Sequence, residues 1–457
     1  MKKLIGSGLL ILVLTAICAV GIDKVMPREE DKSVRAVVKI SLPEQIEEES
    51  KPLLIDRTKE TAKLPVSYDY RQEGRAPKVR NQEQLETCWA FASLTALEST
   101  LLPEDEADFS RDHLCFHNSF GMGQNDGGSY IMSVAYLAAW QGPVYEEDDP
   151  YGDGISPIGL SAVRHVQEVR MPAEKDYEAV KQTVYLHGGV ESSLYVDFSD
   201  PREPSDYFNR DNYSYYYEGT EIPNHDVVII GWDDEYQAEN FIVQAPGDGA
   251  FICQNSWGAD FGDGGIFYVS YYDSNIGKYN AAFTKVEYED NYEVLYQSDL
   301  CGWCGQVGYN TDTASFANVY TASGDQTVEA LGFYATGNDT EYRLAVKTGY
   351  SREEELAEVE YVQAGYLQYP GFYTVRLETP VTVKAGEKFA AVVEIMTPDA
   401  MYPVAVEYAS EELGEAVDLS DGEGYISPDN RHWGRVEEEQ DSNLCLKVYA
   451  NTTEQEP

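Results

Sequence analysis

Apolar positions recur at helical spacing through the first part of the chain and in short β-rich runs after residue 189. Thr87 to Leu102 predicts a helix: Thr87 is an N-cap type, Ala, Leu and Glu favour the interior, and Pro103 follows the end. Ser129 to Trp140 predicts a second helix, stopped by Gly142-Pro143, and Ser161–Val169 and Glu174–Leu186 are further helix candidates. "VVIIGW", "GAFICQNSW" and "GGIFYVSYY" then read as strands. Near Asp290 the texture shifts again, to "SFANVYTA", "EALGFYAT", "YRLAVKTGY", "GFYTVRLE", "FAAVVEIM", "YPVAVEYAS" and "NLCLKVYA", separated by Gly, Asn and Asp clusters. Regular short strands with turn signals predict an antiparallel β-sandwich. The fold class is α+β: a helical half, a β half and an appended sandwich.

The first 22 residues place two lysines before an apolar run, with Ala19-Val20-Gly21 as a small-x-small cleavage site. This reads as a signal peptide or an N-terminal membrane anchor, since the run is nearly long enough to span a bilayer. Either one places the rest outside the cytoplasm, secreted or cell-surface anchored. Residues 23–63 are charged, mixed in sign and poor in aromatics, as in a linker or a short pro-segment. Ordered texture begins at Leu64, which predicts domains at 64–290 and 291–452.

The 33 Lys+Arg and 80 Asp+Glu give a formal net charge of −47. Residues 1–63 hold 11 basic and 10 acidic side chains, so residues 64–457 carry 22 − 70 = −48. A field of that sign repels phosphate backbones and excludes nucleic acid as a partner. The seven cysteines are too sparse for a disulfide-built scaffold, so each domain rests on its own core.

Cys88 opens the first predicted helix in "NQEQLETCWAFAS". It could be half of a disulfide, a small buried apolar residue or a nucleophile. Attack on a carbonyl needs a thiolate, and the free N–H groups and dipole of a helix start favour negative charge there. A base is then wanted from far off in sequence. His225 in "IPNHDVVIIGWDD" lies 225 − 88 = 137 residues on, at the mouth of a buried strand, and Asn255 in "CQNSWGADFGDGGIFYV" offers an orienting amide.

These segments resemble the papain-like cysteine peptidases. "NQEQLETCWAFAS" is similar to that family's Q-x5-C-W-A-F-[SA] segment, "NHDVVIIGW" to its histidine segment, and "NSWGADFGDGGIFYV" to its N-S-W-G-x-x-[WF]-G-x-x-G segment. "LPVSYDYRQEGRAPKVRNQ" resembles a mature N-terminus, and "SRDHL" with "DGGSY" a substrate-strand region. The resemblance covers roughly residues 64–285 and implies a helical lobe and a β lobe with a cleft between them. It implies Cys88 as nucleophile, His225 as its partner and proton donor, Asn255 as orienter, and Gln82 with the Cys88 N–H as oxyanion donors. By the same resemblance Trp257 shields the Asn255–His225 contact, Gly127 and Gly128 expose backbone to an extended substrate, and Ser193 and Asn224 line the pocket for the second residue on the acyl side. The activity implied is hydrolysis of peptide bonds in protein or peptide substrates through an acyl-enzyme, with no metal and no cofactor. The C-terminal region resembles the lectin-like β-sandwich that follows such peptidases in some secreted bacterial proteins, which implies attachment to glycan or cell surface. Two rivals use the same residues: a non-enzymatic surface adhesin on a peptidase-like scaffold, and a thioester acyl transferase.

The chain departs from the family pattern at Leu85-Glu86, where Cys-Gly is usual, so Cys115 is expected to be a buried thiol without its disulfide partner. Glu86 brings a carboxylate two residues from the nucleophile and is expected to face solvent. His113 and His117, spaced i, i+4, are expected in packing or surface roles rather than on zinc. Cys301-Gly302-Trp303-Cys304 is expected to form a local disulfide or structural pairing, with Cys445 as a third party.

Overall fold

The computed structural model describes residues 53–198, 203–408 and 417–453. The N-terminal apolar run and most of the 23–63 segment lie outside them. No helix among the described residues is long and apolar enough to cross a membrane.

The helical half is built on α1 (Cys88–Leu101), α2 (Arg111–His117) and α3 (Tyr130–Ala138). Helix α1 is apolar all round and buried all round, as a central helix must be: Trp89, Ala90, Leu94, Ala96 and Leu97 have almost no exposure. It ends where Leu102 turns extended before Pro103. A buried ion pair ties it to α2: Arg111 meets Glu98 through two bonds of 2.6 and 2.8 Å and also donates to Thr95 Oγ1.

Helix α4 (Tyr177–Leu186) starts as predicted near Asp176, whose side chain accepts from the Ala179 N–H. Residues 164–170 correct the expected helix at Ser161–Val169, because they form a strand. Val163, Val166 and Val169 stand three apart and mimic a helical stripe. Pairing on both edges overrides that signal, which local propensity alone cannot resist.

The β lobe holds β1 (Ser67–Asp69), β2 (Arg164–Arg170), β3 (Val190–Leu194), β4 (His225–Asp233), β5 (Ala250–Gln254), β6 (Ile266–Ser270) and β7 (Ala282–Tyr288). Strand β4 is the spine. Its start pairs with β3, with His225 opposite Leu194, its end pairs with β1, and β5 runs along its other edge, followed by β6.

The sandwich uses β8 (Thr313–Thr321), β9 (Gln326–Ala335), β10 (Thr340–Lys347), β11 (Gly371–Val383), β12 (Lys388–Met396), β13 (Gly424–Ser427) and β14 (Leu446–Thr452). Six of these strands hold predicted runs, the seventh run contains a further strand at Val404–Tyr408, and Gly424–Ser427 was not predicted. One sheet places β10, β12, β8 and β13 in order, and the facing sheet places β14, β9 and β11. Leu331, Phe333, Leu344, Val393, Leu446 and Val448 fill the space between them.

That facing sheet does not stop at the end of the sandwich. Strand β11 pairs with β2, and β2 with β7, so two strands from the first 290 residues complete it. The crossing is close: Gly371 has φ +145°, and a Cβ there would meet the Val169 carbonyl oxygen at 1.9 Å. The outer face of the sheet, with Ala330, Tyr334, Phe372 and Tyr449, belongs to the same core as Trp89 and Trp232. Residues 57–62 run across both parts. Arg57 pairs with Glu341, Lys59 with Asp339 (2.6 Å), Glu60 with Arg170 (2.9 Å), and both backbone groups of Ala62 bond the Gln182 amide.

Candidate active site

The segment that leads to Cys88 is a loop clamped by hydrogen bonds before α1 begins. The Thr87 carbonyl accepts from the N–H groups of Ala90 and Phe91, which places Cys88 as the first helical residue. Thr87 caps by position, and its hydroxyl bonds Tyr151 instead of the backbone (2.7 Å). The same Tyr151 hydroxyl donates to the Gln82 carbonyl (3.0 Å). One tyrosine thus holds both ends of the loop. Sequence reasoning missed Tyr151, whose surroundings, "DDPYGDG", carry only turn chemistry.

Gln82 is buried, and its amide is oriented at both ends. Oε1 accepts from Ser256 Oγ (2.5 Å), which turns the NH2 away toward the Leu85 carbonyl (2.8 Å). An amide nitrogen has two hydrogens, so one remains to donate. Ser256 was also missed, although it stands inside the quoted "NSWG".

His225 opens β4, and its Nε2 lies 2.8 Å from Asn255 Oδ1. That oxygen also accepts the Ser256 N–H (2.8 Å), which fixes which end of the Asn255 amide faces the ring. The proton therefore sits on Nε2, and Nδ1 is the basic nitrogen of the neutral ring. Trp257 stacks on His225 with ring centroids 4.5 Å apart at 23°. Phe261 and Phe198 meet Trp257 edge-on, so the His225–Asn255 bond is roofed by aromatic rings. His225 is 5% exposed and Asn255 4%.

A profile of the papain family cysteine protease matches residues 64–286, and one of the lectin like domain matches residues 295–450. Residues 64–286 belong to the papain family. The viral cathepsin of Antheraea pernyi nuclear polyhedrosis virus is 27% identical to this peptidase over 259 residues, 54% of this chain and 72% of the relative. A cysteine protease of Blomia tropicalis is 26% identical over 235 residues, 47% of this chain and 63% of the relative. The crystal structure of the cysteine protease and lectin-like domains of Cwp84, a surface layer associated protein of Clostridium difficile, superposes with a TM-score of 0.74 at 24% identity. It covers 86% of this chain and 90% of its own. The two-part fold, peptidase then β-rich domain, is therefore shared with that structure.

Burial pushes the Cys88 thiol of the peptidase well up, and the Asp226 and Glu86 charges push the same way. The N–H groups of Asp226 and Trp89 point at the sulfur and pull back. Burial also lowers His225 to about 4, against the Asn255 bond. Glu86 itself is exposed.

The remaining candidates have definite places. Gly127 has φ +76°, and Gly128 lies against Trp89, where a Cβ would come within 2.4 Å of the indole. Ser193 donates to Asp226 Oδ1 (2.5 Å). Asn224 bonds both backbone groups of Val196 (2.8 and 2.9 Å), so its amide is engaged along the chain. Cys115 is a buried thiol outside any disulfide. His113 and His117 stack at 4.2 Å and bond Tyr136 and Ser156. Of the two expectations for Cys301 and Cys304, a local disulfide or a structural pairing, the structure has the second. Both residues are thiols, and Cys304 Sγ donates to the Cys301 carbonyl (3.2 Å) in a short local turn.

Proposed function

We propose that the protein is an exported cysteine endopeptidase, in which domain 64–290 cuts peptide bonds through a thioester on Cys88 and domain 291–452 attaches the enzyme to glycan or cell surface. The observation that carries the catalytic part is the fixed tautomer of His225. With Nε2 held on Asn255, Nδ1 is left to take the thiol proton. Burial favours the neutral pair at rest, so Sγ gives up its proton as it attacks the carbonyl carbon. Gln82 Nε2 and the Cys88 N–H receive the oxyanion. His225 then protonates the leaving amine, and water releases the acid. Gly127 and Gly128 offer backbone to an extended substrate.

Export is supported by the apolar run at residues 4–22 and by the fold shared with a surface layer associated protein. The attachment role is supported by the lectin like profile alone. Segment 23–63 is read as a pro-segment removed near Lys63, which is exposed. Cys88→Ala tests the reading on an unfolded protein, with a thiol-directed epoxide alongside. Cleavage and labelling by wild type and neither by the variant is expected; equal cleavage by both sinks the assignment.

A further inference from the structure

The loop before Cys88 carries the oxyanion site of the proposed reaction, and residues 81–87 hold no cysteine to cross-link it. Hydrogen bonds fix it instead. The Gln82 carbonyl accepts the Leu85 N–H (3.3 Å) across a turn in which Glu83 has φ +56°, and the Glu86 N–H donates to the Gln124 carbonyl (2.9 Å). Two more bonds converge on one atom. Tyr151 Oη donates to the Gln82 carbonyl (3.0 Å) and lies 2.7 Å from Thr87 Oγ1.

A phenol has a single hydrogen to give. With it on the Gln82 carbonyl, the Thr87 hydroxyl must donate to Tyr151 Oη. Thr87 stands at the N-cap of α1, where a threonine oxygen ordinarily accepts a first-turn N–H, yet its side chain caps none here. The first-turn donors are thereby left for the chemistry. The Trp89 N–H points at the Cys88 sulfur, and the Cys88 N–H is the second oxyanion donor of the proposed mechanism. The tyrosine is itself fixed. Its ring stands edge-on to Phe91 of α1, with centroids 4.8 Å apart at 89°. Its N–H donates to Glu146 Oε1 (3.2 Å), and the Gly152 N–H donates to Asp112 Oδ2 (3.0 Å). The other oxygen of Asp112, a fully buried residue, accepts the Gln124 amide. Asp112 thus ties the Tyr151 segment to the same Gln124 whose carbonyl holds Glu86.

We propose that Tyr151 is the positioning residue of the oxyanion site: its hydroxyl holds the Gln82 carbonyl in place and draws the Thr87 hydroxyl off the first N–H groups of α1. The proposal rests on the peptidase reading of Cys88. Without the phenol oxygen two things change together. The Gln82 carbonyl loses its side-chain donor, so the loop that aims the Gln82 amide loosens. Thr87 Oγ1 is released to cap the first turn and competes for an N–H that serves the sulfur. Burial raises the phenol well above its usual range, so it stays protonated, and a donor, through the neutral range.

Tyr151→Phe keeps the ring on Phe91 and removes only the hydroxyl. The full chain carrying it is compared with wild type in turnover of a peptide amide, in binding of a peptide aldehyde that adds to Cys88, and in alkylation of Cys88 by iodoacetamide. The aldehyde adduct puts an oxygen in the oxyanion site; alkylation expels iodide and puts none there. We expect kcat to fall about tenfold with KM unchanged, and aldehyde binding to weaken by a similar factor. Alkylation of the fully formed thiolate should stay within about twofold, while its pH limb moves up by roughly a few tenths of a unit as the sulfur loses a donor. Tyr151→Phe/Thr87→Ala has no hydroxyl left to cap the turn and should return the limb but not the aldehyde binding. Aldehyde and iodoacetamide are read on the same protein, so their ratio is independent of the fraction folded. Unchanged kcat and aldehyde binding, a rise in KM alone, alkylation that falls as far as kcat, or a limb that the double variant does not return overturns the proposal. A wild type that cleaves and is labelled, matched by Tyr151→Phe, overturns it alone; a wild type that does neither overturns the peptidase reading with it.

Discussion

Asp226 and Asp299 are both carboxylates withdrawn from bulk water, and burial raises both above the usual range. Their surroundings differ. Asp299, at the sandwich junction, is 0% exposed and meets Lys447 Nζ at 2.9 Å; that ammonium also donates to the Asp299 carbonyl and to Gln297. Next to it Glu407 accepts from Asn443 and the Cys301 N–H. Asp226, beside Cys88, accepts the Ser193 hydroxyl on one oxygen and meets no described lysine or arginine, whereas on Asp299 the oxygen turned away from Lys447 is buried without a hydrogen bond. One carboxylate is closed off by a cation from within the fold and the other is not. Burying an uncompensated charge is costly, so Asp226 without a cation is expected to cost its own fold stability.

The largest effect expected is on the closed side. Lys447→Met strands Asp299 and should cost about 3–5 kcal/mol of unfolding free energy, measured by urea denaturation. Adding Asp299→Leu should recover most of the loss, because the stranded charge goes with it. A single variant as stable as wild type would erase the distinction between the two sites.

The polar groups proposed for catalysis form a middle case, held by the protein with one atom left to donate. Under that proposal Gln82→Ala removes an oxyanion donor and should lower kcat about 10²-fold. Ser256→Ala leaves Gln82 in place but frees its amide to turn, since the Oε1 bond is lost. We expect about a tenfold fall in kcat with KM unchanged, the signature of a contact made only in the transition state. A KM effect alone would assign Ser256 to substrate binding.

These gradations show what the chain makes legible. Cys88, His225, Asn255 and Gln82 stand in local strings whose order and spacing are distinctive, so they were readable before any fold. Tyr151 and Asp226 were not. Tyr151 acts through contacts 64 and 69 residues away, and an aspartate after a histidine has no local signal until β3 places Ser193 across from it. The sandwich strands were readable from alternation, but the joining of β2 and β7 to the sandwich sheet was not, because pairing between distant strands leaves no period in either. The i, i+3 valines even pointed the wrong way. At Cys301 and Cys304 a disulfide and a structural pairing both stayed open, because spacing alone does not tell one from the other.

Asp226→Asn carries a smaller effect, with a sign that depends on pH. Burial raises Asp226 from 3.8 to about 6. The native state therefore binds a proton more tightly than the unfolded chain, and stability falls as pH rises from about 4 to about 6. The full shift corresponds to about 3 kcal/mol, and partial exposure reduces it to about 1–2 kcal/mol. Asp226→Asn should thus be more stable than wild type by about that amount at pH 8 and no more stable at pH 4. Equal stability of the two proteins at pH 8 would show that Asp226 is solvated like a free carboxylate.

Glu86 supplies the smallest and sharpest contrast. It also bears on the Cys88 thiol, but from an exposed position. A charge in water is screened, so Glu86→Gly should move the acid limb of the pH–rate profile down by only a few tenths of a unit, and by less at 0.5 M salt. Asp226→Asn acts on the same sulfur from an enclosed position and should move that limb further, with little response to salt. If the two variants move it equally and lose the shift together as salt rises, Asp226 is as well solvated as Glu86, and the contrast between a buried carboxylate and a surface one does not hold.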